Sequence, residues 1–167
     1  MKKPKIPRLR LISETVPDEF TSKSISIFDV FQATDEFFDD NFRGAITVDN
    51  ELAADGYIDI SPEGFAFFHK VLLNAIFGES VVRVRMLCDG SIFKVEANWK
   101  IYNNISKDDL ALLRSTANLS GFKITLRETD EDGNLILEAP VRKSAQLALY
   151  AVSAARMREA FTRVFFF

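Results

Sequence analysis

Two strand–turn–strand patterns most constrain the fold of this 167-residue chain. In the first, the runs "VVRVRML" and "IFKVEA" alternate apolar and polar residues on either side of Cys88, Asp89 and Gly90. In the second, "FKITLRE" and "LILEA" flank the polar turn "TDEDGN". Period-two alternation around a short glycine-containing turn predicts antiparallel hairpins. Each hairpin has one apolar face, so the predicted sheet needs a cover on one side only.

Segments with helix signals precede both hairpins. Residues 61–78 start with Ser61 and Pro62 and stop at Gly78, an N-cap, a first-turn proline and a glycine stop. Residues 106–121 start with Ser106, carry Asp109 in the capping-box position and stop at Gly121, which predicts a second helix. The earlier part of the chain adds three predicted strands, at 20–25, 44–48 and 57–60, and a helix that Ser26 caps and that runs to about Asp40.

This order of elements predicts an α+β fold. We expect a two-layer α/β sandwich in which helices cover one face of a mixed sheet. Hydrophobic residues make up 47% and charged residues 27% of the chain, a balance typical of one globular domain.

Composition excludes several classes of protein. The net charge of −3 argues against nucleic acid, whose binders show a basic footprint. The single cysteine cannot form an internal disulfide, which fits a reducing compartment. No apolar run reaches the roughly 18–20 residues of a membrane-spanning helix, and Pro4 and Pro7 interrupt the basic N-terminus, unlike a secretory signal. We therefore expect a cytoplasmic location.

Three segments are predicted: an irregular basic arm (1–19), the sandwich domain (20–141) and a C-terminal helix (142–167) that starts near Ser144. Apolar residues of that helix recur at steps of three and four, namely Leu147, Tyr150, Ala154, Met157, Phe161 and Val164. Such a stripe must be buried on something, since an isolated helix of this length is marginal in water. It either docks on the domain's own sheet or forms an interface, and a homodimer is the expectation under the second alternative.

Several local patterns resemble the ATP-binding domain of the GHKL superfamily, which includes histidine kinases, gyrase, Hsp90 and MutL. The helix "FFHKVLLNAIF" is similar to the family's N-box helix, with Asn74 and Ala75 at its Asn-Ala pair. The segment "LALLRSTANLSGFKI" is similar to the helix that follows the glycine-rich lid, and "GNLILEAP" to the closing strand. The resemblance covers roughly residues 20–140 and implies a histidine kinase-like ATPase fold.

The resemblance also implies a changed adenine site. Active members carry an Asp-x-Gly-x-Gly motif, whose Asp accepts a hydrogen bond from adenine; here Ala97, Trp99 and Ile101 stand at its three positions. An alanine methyl accepts no hydrogen bond, and a site that loses such a partner loses affinity and specificity. The larger side chains occupy space that the glycines leave to the nucleotide. The pocket is therefore expected to be filled.

The phosphate and metal positions are changed as well. Lids of active members carry Gly-x-Gly-Leu where this chain has Lys107, Asp108, Asp109 and Leu110, and two carboxylates at a helix start repel a triphosphate. Asn74 matches the metal-binding Asn of the family, while Lys70 stands one turn upstream. Asn74 is either the remnant of a working nucleotide site or an ordinary solvent-facing or capping residue.

Three further candidates have ordinary explanations beside the functional ones. His69, the single histidine, is either a phosphoacceptor on a helix surface or a residue at the edge of an apolar face. Cys88 lies beside a turn and is expected to be structural. An acidic run can hold a cation or a basic partner, or be a solvated helix face: Asp29, Asp35, Glu36, Asp39 and Asp40.

These changes predict a nucleotide-free, GHKL-like binding module of bacterial signal transduction, with neither a catalytic constellation nor a cofactor. Its expected partner is a signalling protein, such as a sensor kinase, a response regulator or a sigma-type factor. The alternative is a divergent histidine kinase-like or phosphotransfer protein that still binds ATP with Mg²⁺ through Asn74.

Overall fold

The computed structural model describes residues 22–42, 46–51, 56–75, 82–89, 91–100, 105–129, 131–142 and 152–166. The helices of this part of the chain are α1 (Ile27–Asn41), α2 (Pro62–Ala75), α3 (Lys107–Ser120) and α4 (Ala154–Phe166). Its strands are β1 (Lys23–Ser26), β2 (Ile46–Glu51), β3 (Tyr57–Ile60), β4 (Val82–Asp89), β5 (Ile92–Lys100), β6 (Lys123–Glu128) and β7 (Asp132–Pro140).

The strands form a five-stranded mixed sheet and a two-stranded sheet. The larger sheet has the order β2-β4-β5-β7-β6, with β2 and β4 parallel and the other pairs antiparallel. The smaller sheet pairs β1 with β3 antiparallel. Both predicted hairpins are present, β4 with β5 and β6 with β7.

One face of the larger sheet carries the core. Its central strands bury alternate residues, such as Val84 on β4, Val95 on β5 and Leu137 on β7. Residues of opposite parity, such as Arg83 and Lys94, are exposed or half-buried. The two-layer sandwich with helices on one face is therefore confirmed.

The predicted caps form as the sequence indicated. The hydroxyl of Ser26 accepts a hydrogen bond from the backbone N–H of Asp29 at 3.1 Å, and the hydroxyl of Ser106 accepts one from Asp109 at 3.2 Å. Gly121 ends α3 with φ +99°, and a Cβ there would lie 2.8 Å from the Asp59 carbonyl oxygen. Only glycine fits this left-handed, tightly packed position.

Helix α4 begins at Ala154. The sequence predicted a helix from about Ser144 onward, but residues 152–153 are not helical. Val152 is extended: it forms a parallel bridge with Ile25, and its N–H donates to the Ser24 carbonyl at 2.8 Å. The Ser153 hydroxyl then accepts from the Arg156 N–H at 3.3 Å. Other predictions lie outside the described residues, namely those for the arm 1–19, Ile101, Leu147 and Tyr150.

The stripe of α4 packs inside its own chain. Met157 and Phe161 are fully buried, Ala154 and Val164 are half-buried, and the Phe161 ring stacks on Phe37 of α1 at 5.0 Å. The described part of the stripe thus docks within the chain, but on helices α1 and α2, where the prediction of internal docking named the sheet. The expectation that Met157 and Phe161 form an interface between chains is corrected, because α1 and α2 already cover them. The C-terminal segment therefore shares the core of the sandwich domain.

Burial on this scale makes α4 an integral element. Met157, Phe161 and Phe165 are each at most 6% exposed, and burying a large apolar side chain contributes roughly 1.5–3 kcal/mol. Together they contribute about 5–9 kcal/mol, which is comparable with the 5–15 kcal/mol that separates a typical folded domain from its unfolded state.

His69 lies within the aromatic core that α4 completes. Its ring is 4.5 Å from Phe65 and 5.7 Å from Phe161, measured between centroids, and its Nδ1 lies 2.8 Å from the Phe65 carbonyl oxygen. That geometry makes Nδ1 a donor. Desolvation lowers the pKa of His69 to about 4, so the imidazole is neutral at pH 7. A fully buried, neutral ring does not present itself as a surface phosphoacceptor.

We predict that His69 makes folding stability depend on pH. Its pKa is about 4 in the folded chain against 6.5 in the unfolded chain. The unfolded state therefore takes up a proton first as the pH falls. This contribution to stability is complete above pH 6.5 and is lost progressively down to about pH 4, with a total of roughly 3 kcal/mol. Urea unfolding at several pH values measures it.

The control for this prediction is His69→Leu, which has a similar volume and does not titrate. Subtracting its unfolding free energies from those of the wild type cancels the carboxylates that titrate in the same range. A difference between the two proteins that stays constant from pH 7.5 to 4.5 would show that His69 is not buried in its neutral form.

A second prediction concerns Phe161. Phe161→Glu places a carboxylate among the rings of α1 and α2, where it has neither water nor a partner, and we expect the variant to lose cooperative folding. Circular dichroism during urea titration measures this. A matched change on the exposed side of α4, Thr162→Glu, should fold like the wild type. If Phe161→Glu instead yields a folded monomer from a dimeric wild type, the internal packing of α4 is refuted.

Candidate functional site

The residues predicted for a nucleotide site lie on three elements. Ala97 and Trp99 are on β5, Lys70 and Asn74 are on α2, and the segment 107–109 opens α3. Each group has surroundings of its own, and these decide what chemistry it can support.

Ala97 lies in the middle of the buried face of the sheet. It is 2% exposed and sits opposite Val84 on one side and Leu135 on the other. All three side chains are apolar. This position therefore offers adenine no hydrogen-bond acceptor.

Trp99 is part of strand β5 and is 4% exposed. The alternating run "IFKVEA" predicted a strand that ends at Ala97, and this end is wrong because β5 continues to Lys100. Lys100 pairs with Asp132 in register, and the two side chains form an ion pair of 2.7 Å. The long partner strand β7 thus sets where β5 ends.

Gly133 is the cross-strand partner of Trp99 and makes room for its indole. A Cβ added at Gly133 would lie 2.2 Å from the indole carbon Cε2 and 2.4 Å from Nε1. No side chain larger than hydrogen fits at 133 while the indole stays there. Sequence reasoning missed Gly133, because it counted this glycine within the turn "TDEDGN", whereas in the structure Gly133 belongs to β7.

The start of α3 carries negative charge. Asp108 and Asp109 lie in its first turn, and the hydroxyl of Ser106 already accepts the Asp109 N–H. Carboxylates at this end stabilise the helix through its dipole, and they oppose a bound triphosphate. Lys107 is exposed and is the single cation of that turn.

The side chain of Lys70 binds the C-terminal end of α4. It is 3% exposed, and its ammonium donates to the Val164 carbonyl oxygen at 2.9 Å. That carbonyl belongs to the last turn of α4, where the helix has no N–H of its own to offer. Burial lowers the pKa of Lys70. The residue that the resemblance placed in a nucleotide site therefore caps a helix.

Asn74 follows Lys70 by one turn on the same helix. Its Oδ1 and Nδ2 are buried, and neither has a hydrogen-bond partner in the described part of the chain. The ordinary interpretation of Asn74, a solvent-facing or capping residue, does not match this environment.

Ion pairs reinforce the docking of α4, and sequence reasoning missed them. Glu63 on α2 pairs with Arg156 and, at 3.8 Å, with Arg163. Glu36 on α1 pairs with Arg158 at 2.8 Å, so part of the predicted acidic run holds α4. Burial and the neighbouring Asp39 raise the pKa of Asp35, which reflects crowding of carboxylates on α1.

The described residues contain no cluster of three or more His, Cys, Asp or Glu side chains arranged to hold a metal ion. None of the helices in the described ranges combines the length and apolar character that crossing a bilayer requires.

No family model and no curated protein matches this chain. Solved structures do match. The histidine kinase domain of the E. coli osmosensor EnvZ gives a TM-score of 0.56 at 9% identity, covering 77% of this chain and 94% of that domain. The catalytic domain of the histidine kinase ThkA gives 0.52 at 13% identity, over 71% and 96%. The Acinetobacter baumannii histidine kinase AdeS gives 0.52 at 8% identity, over 75% and 70%.

These identities are too low to carry activity from one protein to another, since a fold hosts many functions. The agreement is therefore one of overall fold. It comes from structures of three different histidine kinases. The chain thus shares the fold of histidine kinase catalytic domains.

Proposed function

We propose that this chain is a nucleotide-free, GHKL-like binding module of bacterial signal transduction, acting through protein–protein contacts. The observation that carries the proposal is the packing of Trp99 over Gly133 on the buried face of the sheet. By the resemblance, Trp99 stands at a glycine position of the adenine motif, and Ala97 stands at its aspartate. The indole of Trp99 fills the space in which a glycine would let the backbone approach a nucleotide. The methyl group of Ala97 stands where the family has a carboxylate.

The surroundings of Lys70 support the same proposal. A lysine within a metal-binding motif repels Mg²⁺, and its ammonium is engaged by the Val164 carbonyl. The two carboxylates at the start of α3 replace the amide-rich lid that wraps phosphates in active members. Binding ATP in the family's manner would need changes at all three elements.

The proposed partner is a signalling protein: a sensor kinase, a response regulator or a sigma-type factor. The chain's fold is that of histidine kinase domains, one of them from an osmosensor, which is the basis for naming this class. A homodimer also remains a proposal, on a surface other than the buried residues of α4.

The competing function is a divergent nucleotide-binding kinase-like protein. Asn74 favours it, because its amide is buried without a hydrogen-bond partner among the described residues. A bound metal–nucleotide would supply such a partner. Lys70, one turn away, weighs against it.

We predict that millimolar Mg-ATP does not stabilise the protein beyond Mg-tripolyphosphate. Tripolyphosphate reproduces the charge without adenine, so the comparison isolates recognition of the nucleoside. A ligand at 100 times its dissociation constant adds roughly 2.7 kcal/mol, which thermal unfolding detects easily. A melting temperature that rises with Mg-ATP and not with Mg-tripolyphosphate would favour the competing function.

A further prediction tests the filled pocket directly. Trp99 is the only tryptophan, so we expect the folded protein to emit at short wavelength and iodide to quench it poorly. Gly133→Ala forces a methyl group into the indole and should displace it, shifting the emission to longer wavelength and lowering stability. Asn98→Ala, next to Trp99 but on the open face of the sheet, is the control. An emission maximum typical of hydrated indole in the wild type would contradict the filled pocket.

A further inference from the structure

Strand β6 forms one edge of the larger sheet, next to β7. Two backbone hydrogen bonds fix which groups of β7 face β6. The Thr129 N–H donates to the Asp132 carbonyl at 2.8 Å, and the Val141 N–H donates to the Ser91 carbonyl at 2.8 Å. In an antiparallel ladder both backbone groups of a residue point to the same neighbouring strand, and successive residues alternate. Even-numbered residues of β7 therefore face β6, and odd-numbered ones face β5.

The same alternation leaves the outer side of β6 unpaired. Lys123, Thr125 and Arg127 lie opposite even-numbered residues of β7, so their backbone groups face that strand. The N–H and C=O groups of Ile124 and Leu126 then face away from the sheet, and no hydrogen bond to them is found within the described ranges. A row of such groups is a template for one further strand.

The side of β6 that faces the helices is apolar and incompletely covered. Ile124 and Leu126 point to this side, since they lie opposite the buried Leu137 and Leu135 of β7. Both are half-buried, whereas Val95 on the central strand β5 is 2% exposed. Apolar residues on an added strand would contact Ile124 and Leu126 directly and continue the core.

The opposite side of β6 is cationic. Lys123 and Arg127 are exposed, and neither forms an ion pair in the described part of the chain, although Glu138 of β7 lies opposite Lys123. Glu128 is the one acid of β6; its carboxylate accepts the Ile105 N–H at 3.3 Å. Two cations four residues apart on an edge strand complement carboxylates at the same spacing on an added strand.

These charges distinguish between possible occupants of the edge. Antiparallel pairing of two copies about Thr125 would place Lys123 of each copy opposite Arg127 of the other, and like charges directly opposite each other destabilise a strand pair. Pairing about Leu126 would set Glu128 against Ile124. A second copy of the chain is therefore a poor fit, and lysine on an edge strand commonly prevents such self-pairing. An acidic strand meets neither obstacle.

We propose that β6 binds an extended segment of a partner protein by β-sheet augmentation, and that this segment alternates apolar and acidic residues. The backbone of Ile124 and Leu126 pairs with it, their side chains contact its apolar residues, and Lys123 and Arg127 each contact one carboxylate. This inference rests on the proposed function, since it names the surface through which the binding module acts and the chemistry of the segment that it binds.

The test is the binding of fluorescein-labelled, capped peptides to the full chain, measured by fluorescence anisotropy. The first peptide, Val-Glu-Val-Thr-Val-Glu-Val, reads the same in both directions and so assumes neither parallel nor antiparallel pairing. A second has Lys in place of Glu. A third has Pro in place of the central Thr, which keeps the charge and interrupts strand pairing. We expect the first to bind about tenfold or more tightly than either of the others. The net charge of the chain is −3, so non-specific attraction would favour the lysine peptide instead.

Two double variants locate the effect. Lys123→Glu combined with Arg127→Glu should reverse the preference, so that the lysine peptide binds more tightly. Lys23→Glu combined with Lys107→Glu changes the net charge equally at exposed positions outside β6, and it should keep the preference for the acidic peptide. Trp99 emission verifies that each variant is folded.

Hydrogen exchange followed by NMR identifies the backbone groups that pair. In the free protein the N–H of Leu126 should exchange faster than those of Thr125 and Arg127, because it faces away from β7, and the first peptide should slow it. A Leu126 N–H that is already protected in the free protein would overturn the proposal, because another segment or a second copy would then occupy the edge.

Three binding results would also overturn it: no binding of the first peptide, equal binding of all three peptides, or a preference that the double variant of β6 retains. These results concern the surface alone. The proposed function fails instead if Mg-ATP stabilises the chain beyond Mg-tripolyphosphate, so the two failures are distinguishable.

Discussion

The packing of Phe161 between α1 and α2 is the interaction on which the rest of the helical layer depends. Its ring lies 5.0 Å from Phe37, 5.6 Å from Phe38 and 5.9 Å from Phe65. Because one residue of α4 touches rings from both α1 and α2, the C-terminal helix joins these two helices into a single core. A removable regulatory strap would show few such contacts, and α4 shows many. Its ion pairs with Glu36 and Glu63 lie around this apolar centre and set its orientation.

The docking of α4 also determines what Lys70 can do. A buried ammonium needs an acceptor, and the last turn of α4 supplies one at 2.9 Å. The lysine is thereby directed at a helix end, and the neighbouring Asn74 is left with a buried amide. The hydrogen bonding of Lys70 on α2 thus depends on α4, which lies almost a hundred residues further along the chain.

Sequence reasoning succeeded where structure is determined locally. Ser26 and Ser106 start their helices and Gly121 ends one, each through contacts within a few residues, so the sequence was enough to predict these caps. The two hairpins follow from period-two alternation and short turns. The order of these elements was enough to predict the sandwich, and local patterns such as "FFHKVLLNAIF" added the resemblance to a family.

Sequence reasoning failed where contacts between distant parts of the chain determine the structure. Strand β5 continues through Trp99 because β7 offers a pairing partner as far as Asp132. Helix α4 starts late because Ile25 and Ser24, far upstream, hold Val152 in an extended bridge. The apolar stripe on α4 was correctly identified, but a stripe cannot say which surface covers it. Glu63 and Arg156 gave no recognisable signal, since each is an ordinary charged residue until α2 and α4 meet.

Trp99 and Gly133 are best understood as one unit. The indole occupies the space that a Cβ at 133 would take, so a tryptophan at one position requires a glycine at the other. By the resemblance, the glycine of the adenine motif stands on β5; in this chain the glycine is across the ladder on β7, and the bulk is on β5. The close approach that glycine permits is therefore used by the chain's own side chain. Such an exchange fills the space beside Gly133 with a buried ring, so the chain covers this part of the sheet with its own side chain.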